Sequence, residues 1–225
     1  MKVILFGASG MVGQAVLREC MNDSGIEKVL SIARSPSGFK HLKFEEKTQP
    51  DLSDLSAMEE DLIGYHACFY CLGVSSAGMS EAAYRSITFD LTLAAARPLA
   101  RLNPGMSFIY ISGAGTDSSE RGRSMWARVK GATENALLML PFKAVMFRPG
   151  GIIPMHGIQS KTRSYRLLYS LTRPLWGVML AAFPQSVSTS EQVARAMIAV
   201  ARQGAPQSIM EVRDINAAAG RAASA

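Results

Sequence analysis

The chain begins with a short apolar strand that runs directly into three evenly spaced glycines. The strand pattern Lys-Val-Ile-Leu-Phe is followed by Gly7, Gly10 and Gly13, and a helical pattern extends over Val12–Met21. Glycine at these places lets the chain turn tightly, lets a pyrophosphate approach the backbone, and lets the helix pack closely on the strand. The N–H groups that open the helix then face the phosphates. Because the glycines stand between a strand and a helix, they predict a dinucleotide-binding turn rather than a purely structural one.

Length and charge restrict the classes of protein to which the chain can belong. Its 225 residues suffice for one α/β domain with a small appendage, and 48% of them are hydrophobic, which argues against extensive disorder. The 24 basic and 18 acidic residues give a net charge of +6, but no basic run resembles a nucleic-acid-binding arm. We therefore expect a small phosphate-bearing ligand and no nucleic acid.

The cysteines favour a reducing compartment and a structural role. The chain has three, and Cys68 and Cys71 form a C-x-x-C inside the apolar run His66–Leu72. A zinc site would need two more suitably spaced ligands, and a redox pair usually lies at an exposed helix start. We interpret both as core cysteines and expect no metal site.

No segment has the length of a membrane-spanning helix. The most apolar stretch, Leu175–Phe183, lies between two prolines and is far shorter than the ~20 residues needed to span a bilayer. Met1 and Lys2 lead straight into a strand, so we expect no secretory signal and a cytoplasmic location. The segment Leu167–Phe183 fits an interfacial membrane helix or a dimer helix, and membrane contact is not the favoured interpretation.

Short β-rich runs alternate with helical patterns, which predicts an α/β fold with a doubly wound parallel sheet, a Rossmann fold. The predicted strands are Val3–Phe6, Lys28–Ala33, Leu42–Glu45, Ala67–Leu72, Ser107–Ser112 and Ala144–Phe147. The predicted helices are Val12–Met21, Leu55–Leu62, Glu81–Leu102 and Ser124–Met139. The third of these helices contains Pro98 and should kink or end near Arg97.

The alternation stops at Gly150, where a loop rich in glycine and proline begins. A helical segment Tyr165–Phe183, a helix Glu191–Arg202 and a short strand Ile209–Val212 follow. Ligands of doubly wound sheets bind beyond the carboxyl ends of the strands, so this part can form a small helical lid over the substrate side. A helical pair that completes the core or makes a dimer contact is an equally weighted alternative.

The predicted organisation therefore has three parts. Residues 1–149 form the dinucleotide-binding core, and residues 150–216 form the lid segment that completes the same domain. Residues 217–225 are rich in alanine and should form a flexible tail.

Arg34 follows the second predicted strand, where an NAD-preferring site often carries an acidic residue for the ribose hydroxyls. Its guanidinium matches a phosphate in charge and fork geometry, so Arg34 with Ser35 predicts acceptance of the 2′-phosphate of NADP. A solvated surface arginine is the alternative. Asp51, which precedes Leu52, suits an acceptor for the adenine amino group, although this region also fits a helix cap formed by Ser53 or Asp54.

Together these motifs resemble the short-chain dehydrogenase/reductases, and within them the atypical members related to NAD(P)-dependent epimerases and dehydratases. The resemblance covers residues 1–150 and rests on the glycine motif, on Asp51-Leu52, on Cys71-Leu72-Gly73 and on Arg148-Pro149-Gly150. It implies a nicotinamide dinucleotide cofactor, NADP in preference to NAD. The cofactor-binding residues so implied are Gly7, Ser9, Gly10, Met11, Val12, Gly13, Arg34, Ser35, Asp51, Leu52, Leu72, Gly73, Lys130, Arg148, Pro149 and Gly150.

The same resemblance implies a catalytic serine after the fifth strand and a Tyr-x-x-x-Lys motif on the next helix. Ser112 and Lys130 occupy the serine and lysine positions, but Trp126 stands where the family has its tyrosine. An indole N–H donates a hydrogen bond but does not titrate near neutral pH, so carbonyl reduction by the tyrosine route should fail or be severely slowed. Lys130 would still hold the nicotinamide ribose hydroxyls, and Ser112 a substrate carbonyl. A solvated lysine and a loop-forming serine are the alternatives.

A substitute acid would have to come from another segment. Tyr84, Tyr165, His156 and the loop Ser118-Ser119-Glu120 can reach the cleft in this topology. His156 has the most suitable pKa, although a lone histidine is more often structural. Trp126 itself fits either a stacking wall or a packing residue.

Two functions follow from these patterns. The nucleotide motif with Ser112 and Lys130 favours an NADP-dependent oxidoreductase or epimerase-like enzyme that acts on an unidentified small molecule. Trp126 favours the alternative, a catalytically silent NADP(H)-binding regulatory or assembly protein. In either case we expect a homodimer that pairs through the helices Glu81–Leu102 and Ser124–Met139, as members of the family often do.

Overall fold

The structure is a computed structural model that describes residues 1–158, 176–177, 182–183 and 185–222. Its strands are β1 (Lys2–Phe6), β2 (Lys28–Ala33), β3 (Phe44–Thr48), β4 (Ala67–Tyr70), β5 (Ser107–Ile111), β6 (Lys143–Arg148), β7 (Gly151–Ile153), β8 (Val187–Thr189) and β9 (Ile209–Glu211). Its described α-helices are α1 (Met11–Asn22), α2 (Glu81–Arg85), α3 (Leu91–Leu102), α4 (Met125–Leu138), α5 (Ser190–Gln203) and α6 (Val212–Ala222). A 3-10 helix covers Ser56–Leu62, and a π-helical turn, Ser86–Asp90, joins α2 to α3.

Seven of these strands form one parallel sheet in the order β3-β2-β1-β4-β5-β6-β9. The strand β1 is central, because Val3 pairs with Val29 of β2 on one side and with Ala67 of β4 on the other. The strand order reverses at β1, which opens a crevice beyond the carboxyl ends of β1 and β4. The predicted doubly wound parallel sheet is confirmed.

Two apolar clusters cover the two faces of this sheet. Side chains alternate along each strand, so Val3 and Leu5 of β1 face one cluster while Ile4 and Phe6 face the other. Helices α1, α5 and α6 cover the first face, and α3, α4 and the 3-10 helix cover the second. Burial on both faces explains why the strands are continuous apolar runs in the sequence.

The long helical prediction Glu81–Leu102 has the right extent, but the helix does not end near Arg97. The helix α3 continues through Pro98 to Leu102. The irregularity is the π-helical turn that precedes α3. Leu93, Ala96 and Leu99 bury the inner face of α3, and this packing holds the last turns together although proline cannot donate its backbone hydrogen bond.

The alanine-rich end of the chain is helical through residue 222, so the predicted flexible tail over 217–225 is wrong for most of its length. Ala218 and Ala219 are buried in the cluster on the α1 face, where α6 packs against α5. Alanine combines a high helix propensity with a side chain that is small enough for close helix packing. The helix α6 therefore belongs to the core.

Two predicted elements differ in position or type. The strand β3 is displaced toward the carboxyl terminus, because the pairing with β2 begins with Val29 opposite Phe44 rather than at the fully exposed Leu42. The predicted helix Leu55–Leu62 is a 3-10 helix that begins at Ser56.

The described part of the predicted lid completes the core. β7 and β8 form a small parallel pair that the sequence did not predict, and α5, β9 and α6 finish the main domain. Tyr165 and most of the predicted helix Tyr165–Phe183 lie outside the described residues. Within the described ranges, no helix has the length and apolarity to cross a membrane.

Candidate active site

Two glycines of the amino-terminal loop have no space for a side chain. Gly7 has a φ of +82°, and a β-carbon there would lie 2.7 Å from the Cys71 carbonyl carbon. A β-carbon on Gly13 would lie 2.0 Å from the Gly7 carbonyl oxygen. The Gly10 N–H donates to that same oxygen at 2.9 Å and closes the turn. The structure thus contains the tight turn and the close helix packing that the glycine pattern predicts.

The start of α1 leaves backbone donors that a ligand can use. Gly10 is the N-cap without a side-chain cap, and the first turn carries no acidic residue. The N–H of Gln14 makes the bond to the Gly10 carbonyl, so the N–H groups of residues 11–13 have no partner inside the helix. Ser9, whose carbonyl accepts from the Gln14 side chain at 3.0 Å, lies on the exposed side of this loop. The helix dipole favours an anion here, so the loop fits the pyrophosphate of a dinucleotide.

Arg34 and Ser35 are exposed directly after β2. Because β1 and β2 are parallel neighbours, both residues lie at the same edge of the sheet as the glycine loop. Among the described residues, the Arg34 guanidinium has no hydrogen-bond or ion-pair partner. This arginine is therefore available to a ligand phosphate.

Asp51 forms a local turn at the same edge. Its Oδ1 accepts hydrogen bonds from the Ser53 N–H at 2.8 Å and the Ser53 hydroxyl at 2.6 Å, which lower the pKa of the carboxyl. Leu52 is buried in the core. Asp54 accepts from the Ser56 N–H at 2.9 Å, but the residue at the N-cap of the 3-10 helix is Leu55, so neither Ser53 nor Asp54 is its N-cap. The adenine contact of Asp51 stays a prediction.

The end of β4 borders the glycine loop. The Cys71 N–H donates to the Phe6 carbonyl at 3.0 Å, and the Cys71–Leu72 backbone lies against Gly7. Leu72 packs against the core, while no atom approaches the position of a β-carbon on Gly73 within 4 Å. The backbone at Gly73 is thus open to contact from the crevice.

Ser112 follows β5 with its hydroxyl turned toward β6. Its N–H and its hydroxyl both donate to the Phe147 carbonyl, at 2.9 and 3.0 Å. The hydroxyl oxygen can still accept a hydrogen bond, but donation to a substrate carbonyl requires the Phe147 contact to open. The loop-forming role of Ser112 is present in the structure, and its substrate role stays a prediction.

Lys130 is buried rather than solvated, with only 6% of the residue exposed. Its ammonium donates to Tyr110 Oη at 3.0 Å and to the Ile111 carbonyl at 3.1 Å. Burial lowers the pKa of Lys130 to about 8, and the nearby Glu134 carboxylate opposes this shift. The ammonium of Lys130, which lies at the carboxyl end of β5, therefore loses its proton near pH 8.

Trp126 lies one turn before Lys130 on the same helix face. Its ring packs toward the loop after β5, where it would be 3.6 Å from a β-carbon on Gly115. Its indole N–H has no hydrogen-bond partner within the described part of the chain. The ring is thus packed on one side and keeps a free donor, so the stacking and packing interpretations both remain open.

Arg148 is engaged inside the protein. Its guanidinium pairs with the buried Glu134 carboxylate through two nitrogens, donates to Ser118 Oγ at 2.6 Å and pairs with Glu211 at 3.2 Å. These contacts tie β6 to α4, β9 and the loop at residue 118. These contacts give Arg148 a structural role, and the direct cofactor contact that the motif implied stays a prediction.

The two residues after Arg148 also shape the wall of the crevice. The Pro149 carbonyl accepts from the Ala114 N–H at 2.9 Å. A β-carbon on Gly150 would lie 2.3 Å from the Ser186 carbonyl oxygen, so the chain between β6 and β7 packs closely against the segment before β8.

The substitute acids suggested by the sequence are engaged elsewhere or buried. Tyr84 is buried, and burial raises the pKa of its phenol. The side chains of Ser118, Ser119 and Glu120 are hydrogen-bonded to Arg148, Asp117 and Asn135 respectively. Tyr165 lies outside the described residues.

His156 follows β7 and contacts the start of α5. It pairs with Glu191 at 2.7 Å, and Glu191 also pairs with Arg195, which reaches Glu19 in the second half of α1. The imidazole of His156 is thus engaged by Glu191 at the start of α5, and its role as a substitute acid stays a prediction. The positive φ of His156, 55°, belongs to the turn that brings it to α5.

Two functional neighbours of Lys130 were missed in the sequence. Tyr110 belongs to an apolar strand pattern, which predicts a core residue, and Glu134 belongs to no motif. The available signal was the spacing of Trp126, Lys130 and Glu134, since residues four apart share a helix face.

Cys68 is a fully buried core residue as predicted, and the half-buried Cys71 packs against the core. Burial raises the pKa of the Cys68 thiol well above its usual value, so it stays protonated. Among the described residues, no group of histidine, cysteine and acidic side chains could hold a metal ion.

Sequence comparison finds distant relatives, and no protein-family model matches the chain. The chain is 32% identical over 117 residues to leucinostatins biosynthesis cluster protein T of Purpureocillium lilacinum, covering 50% of this chain and 42% of that protein. It is 27% identical over 161 residues to protein FMP52, mitochondrial, of Kluyveromyces lactis, covering 68% of each. It is also 27% identical over 154 residues to protein HTATIP2 of Rattus norvegicus, covering 67% of this chain and 62% of that protein. The matched region thus spans less than half of the first relative.

Solved structures share the fold at low sequence identity. WbmF of Bordetella bronchiseptica, solved in complex with NAD+, superposes with a TM-score of 0.66 at 15% identity. The match covers 98% of this chain and 77% of the WbmF chain. A UDP-glucose 4-epimerase gives a TM-score of 0.69 at 15% identity, covering 96% of this chain and 80% of its own. A short-chain dehydrogenase family protein of Francisella tularensis gives a TM-score of 0.61 at 15% identity, and the match covers 90% of this chain and 91% of that protein. These likenesses show the fold.

Proposed function

Because the chain has the fold of the short-chain dehydrogenase/reductases of the epimerase type, we propose that it binds NADP(H) and is an NADP-dependent oxidoreductase or epimerase-like enzyme acting on a small molecule. The observation that carries the proposal is the glycine cradle. A β-carbon on Gly13 would overlap the Gly7 carbonyl, and α1 begins with backbone N–H groups that have no partner inside the helix. The solved neighbour WbmF, which binds NAD+, supports a nicotinamide dinucleotide as the ligand.

The preference for NADP(H) rests on Arg34. Its guanidinium is exposed and unpaired among the described residues, at the sheet edge shared with the glycine loop. Arginine binds a phosphate through paired hydrogen bonds, whereas it offers less to the uncharged 2′-hydroxyl of NAD.

The groups that would orient the cofactor and the substrate lie on α4, next to the end of β5. Bound at this site, NADPH supplies a hydride. Two N–H groups of the Lys130 ammonium are engaged by Tyr110 and Ile111, which leaves the third for ribose hydroxyls. Trp126 can stack and donate a hydrogen bond, but it cannot supply a proton near neutral pH.

The second candidate is a catalytically silent NADP(H)-binding regulatory or assembly protein. Two observations favour it: Trp126 replaces the acid, and the Ser112 hydroxyl is committed to the Phe147 carbonyl. This protein would bind the cofactor at the same cradle without turnover.

The first test is a fluorescence titration of the purified chain with NADPH and with NADH, monitored by energy transfer from tryptophan. We expect saturable NADPH binding that Arg34→Ala weakens about tenfold or more, with little change in NADH binding. Lys40→Ala removes another exposed cation a few residues further along the chain and is the matched control. Absence of saturable binding of either nucleotide would overturn the proposal.

Turnover separates the two candidates. NADPH consumption with any carbonyl compound of a panel, or epimerisation of any sugar nucleotide of the panel without net consumption of the cofactor, supports the enzyme. Tight NADPH binding with neither consumption nor epimerised product across the panel, and with unchanged binding in Ser112→Ala, supports the silent protein.

We also propose that two copies pair through the surface formed by α2, α3 and α4. Exposed apolar side chains lie along this surface at Ile87 in the π-helical turn between α2 and α3, at Leu138 at the end of α4 and at Met139 directly after it. Sedimentation equilibrium should give a dimer that Leu138→Asp converts to a monomer.

A further inference from the structure

The contact between Lys130 and Tyr110 corresponds to none of the sequence motifs. The phenol comes from β5 and the lysine from α4, and their Nζ and Oη atoms are 3.0 Å apart. The same ammonium lies 4.7 Å from the centroid of the Tyr110 ring, within the range of a cation–π interaction. Tyr110 is fully buried and Lys130 nearly so.

The direction of the hydrogen bonds fixes the role of each group. The ammonium has only donors, so the phenol oxygen accepts from it. Burial raises the pKa of Tyr110 well above its usual range, so the phenol stays neutral. The Thr133 hydroxyl also interacts with this phenol and donates in turn to the Val129 carbonyl at 2.7 Å. Tyr110 is thus oriented by α4 on one side while it accepts from Lys130.

The charges around Lys130 come from few groups. On α4, the buried Glu134 stabilises the ammonium, but Arg148 of β6 neutralises much of that carboxylate. Tyr70 of β4 and Tyr84 of α2 adjoin Tyr110 and are themselves buried phenols with raised pKa values. The direct partners of the ammonium in the described structure are therefore the Tyr110 phenol and the Ile111 carbonyl.

We infer that Tyr110 is the positioning residue of this site: in a chain whose helix carries Trp126 instead of a tyrosine, a phenol from the sheet holds Lys130 charged and in place. The functional consequence rests on the proposed NADP(H) site, because the charged lysine is the group proposed to hold the ribose hydroxyls. A purely structural hydrogen bond would join α4 to β5 without governing the protonation of the amine.

The test measures the ionisation of Lys130 directly in the full chain. Lysine labelled with carbon-13 at the ε position gives a resonance for Lys130, assigned by its loss in Lys130→Met, and its shift is followed with pH. We expect a midpoint near pH 8 in the unsubstituted protein. Tyr110→Phe removes the phenol oxygen that accepts a hydrogen bond from the charged Lys130 ammonium. The substitution should therefore lower the titration midpoint of Lys130 by about one pH unit or more. Tyr84→Phe removes a buried phenol that does not contact Lys130 and should leave the midpoint unchanged.

The second readout is the dissociation constant for NADPH from pH 6 to pH 9. Tyr110→Phe should bind as tightly as the unsubstituted protein at pH 6 and about fivefold more weakly at pH 8, as a midpoint displaced by one unit requires. Equal midpoints in the two proteins, an equal displacement in Tyr84→Phe, or a loss of affinity that is uniform with pH would each overturn the inference.

The two readouts separate this inference from the proposed function. If the unsubstituted chain binds no NADPH, the proposed function fails, and the carbon-13 titration still decides the role of Tyr110. If Tyr110→Phe does not fold, Thr133→Val replaces it, since this nearly isosteric change removes the group that orients the phenol. We expect Thr133→Val to lower the Lys130 midpoint by a smaller amount, and an unchanged midpoint would overturn the inference.

Discussion

Arg148 meets Glu134 through two of its guanidinium nitrogens, and the carboxylate of this pair is fully buried. Removal of one partner from a buried ion pair leaves the other charge without compensation, which typically costs about 3–5 kcal/mol. We therefore expect Arg148→Met to lower the free energy of unfolding by about 3 kcal/mol, measured by urea denaturation.

The control for this substitution is the outer partner of the same guanidinium. The side chain of Glu211 is 51% exposed, so Glu211→Gln should cost less than about 1 kcal/mol. If Arg148→Met is as stable as Glu211→Gln and weakens NADPH binding, Arg148 acts on the cofactor rather than on the fold.

The second prediction concerns the glycine cradle. Gly13→Ala places a β-carbon 2.0 Å from the Gly7 carbonyl oxygen, so α1 or the loop must move. Overpacking of this kind typically costs about 1–3 kcal/mol, and it displaces the donors proposed to hold the pyrophosphate. We expect a lower melting temperature and a loss of NADPH affinity of at least tenfold.

A matched control exists at the exposed Gly220 in α6, where no atom of the described residues beyond the local helix backbone lies within 4 Å of an added β-carbon. Gly220→Ala should stabilise the protein by about 0.5–1 kcal/mol and leave the affinity unchanged. Tolerance of alanine at both positions would show that the cradle is not as tight as the structure indicates.

The fold was largely predictable because its signals are local. Continuous apolar runs mark strands that are buried on both faces, and the glycines after β1 mark a backbone approach that other residues cannot make. The errors arose where tertiary packing decides. The α6 helix looked like a fraying tail because alanine carries little hydrophobic signal, and β3 shifted because pairing with β2 favours Phe44 over Leu42.

The site was predictable in its motifs and not in its contacts. The sequence placed Ser112, Trp126 and Lys130 at their elements, but the partner of the lysine depends on how α4 packs on β5. Tyr110 has the same apolar surroundings in the sequence as any core residue. Likewise, nothing in the Arg148-Pro149-Gly150 motif indicates that Glu134 would engage the arginine.

The third prediction is a pH-dependent stability contributed by Lys130. Burial lowers its pKa in the folded state to about 8 from an ordinary value of 10.5. Between these two values the unfolded chain binds more protons than the folded one, so this residue makes the free energy of unfolding rise with pH from about 8 to 10.5. The rise is bounded by about 1.4 kcal/mol for each unit of pKa difference.

The measurement compares the unsubstituted protein with Lys130→Met by urea denaturation across that range. The difference between the two removes the contribution of buried thiols, which titrate in the unfolded chain at similar pH. At pH 7 the free energy of unfolding of Lys130→Met should equal that of the unsubstituted protein or be about 1 kcal/mol higher, because the variant no longer buries a cation. Parallel curves with no difference in slope would contradict a depressed pKa.

The last prediction separates His156 from the nucleotide site. Its bond to Glu191, together with Arg195, lowers the pKa of that carboxyl, so the pair stabilises the fold above the ordinary glutamate pKa of 4.5 and loses this contribution as pH falls through the lower folded value. Glu191→Gln should therefore flatten the dependence of stability on pH in this acidic range. His156→Gln should change the NADPH dissociation constant by less than about twofold, because the imidazole is already engaged by Glu191. A large loss of NADPH affinity or of any detected turnover in His156→Gln, with stability preserved, would instead bring this histidine back as the substitute acid.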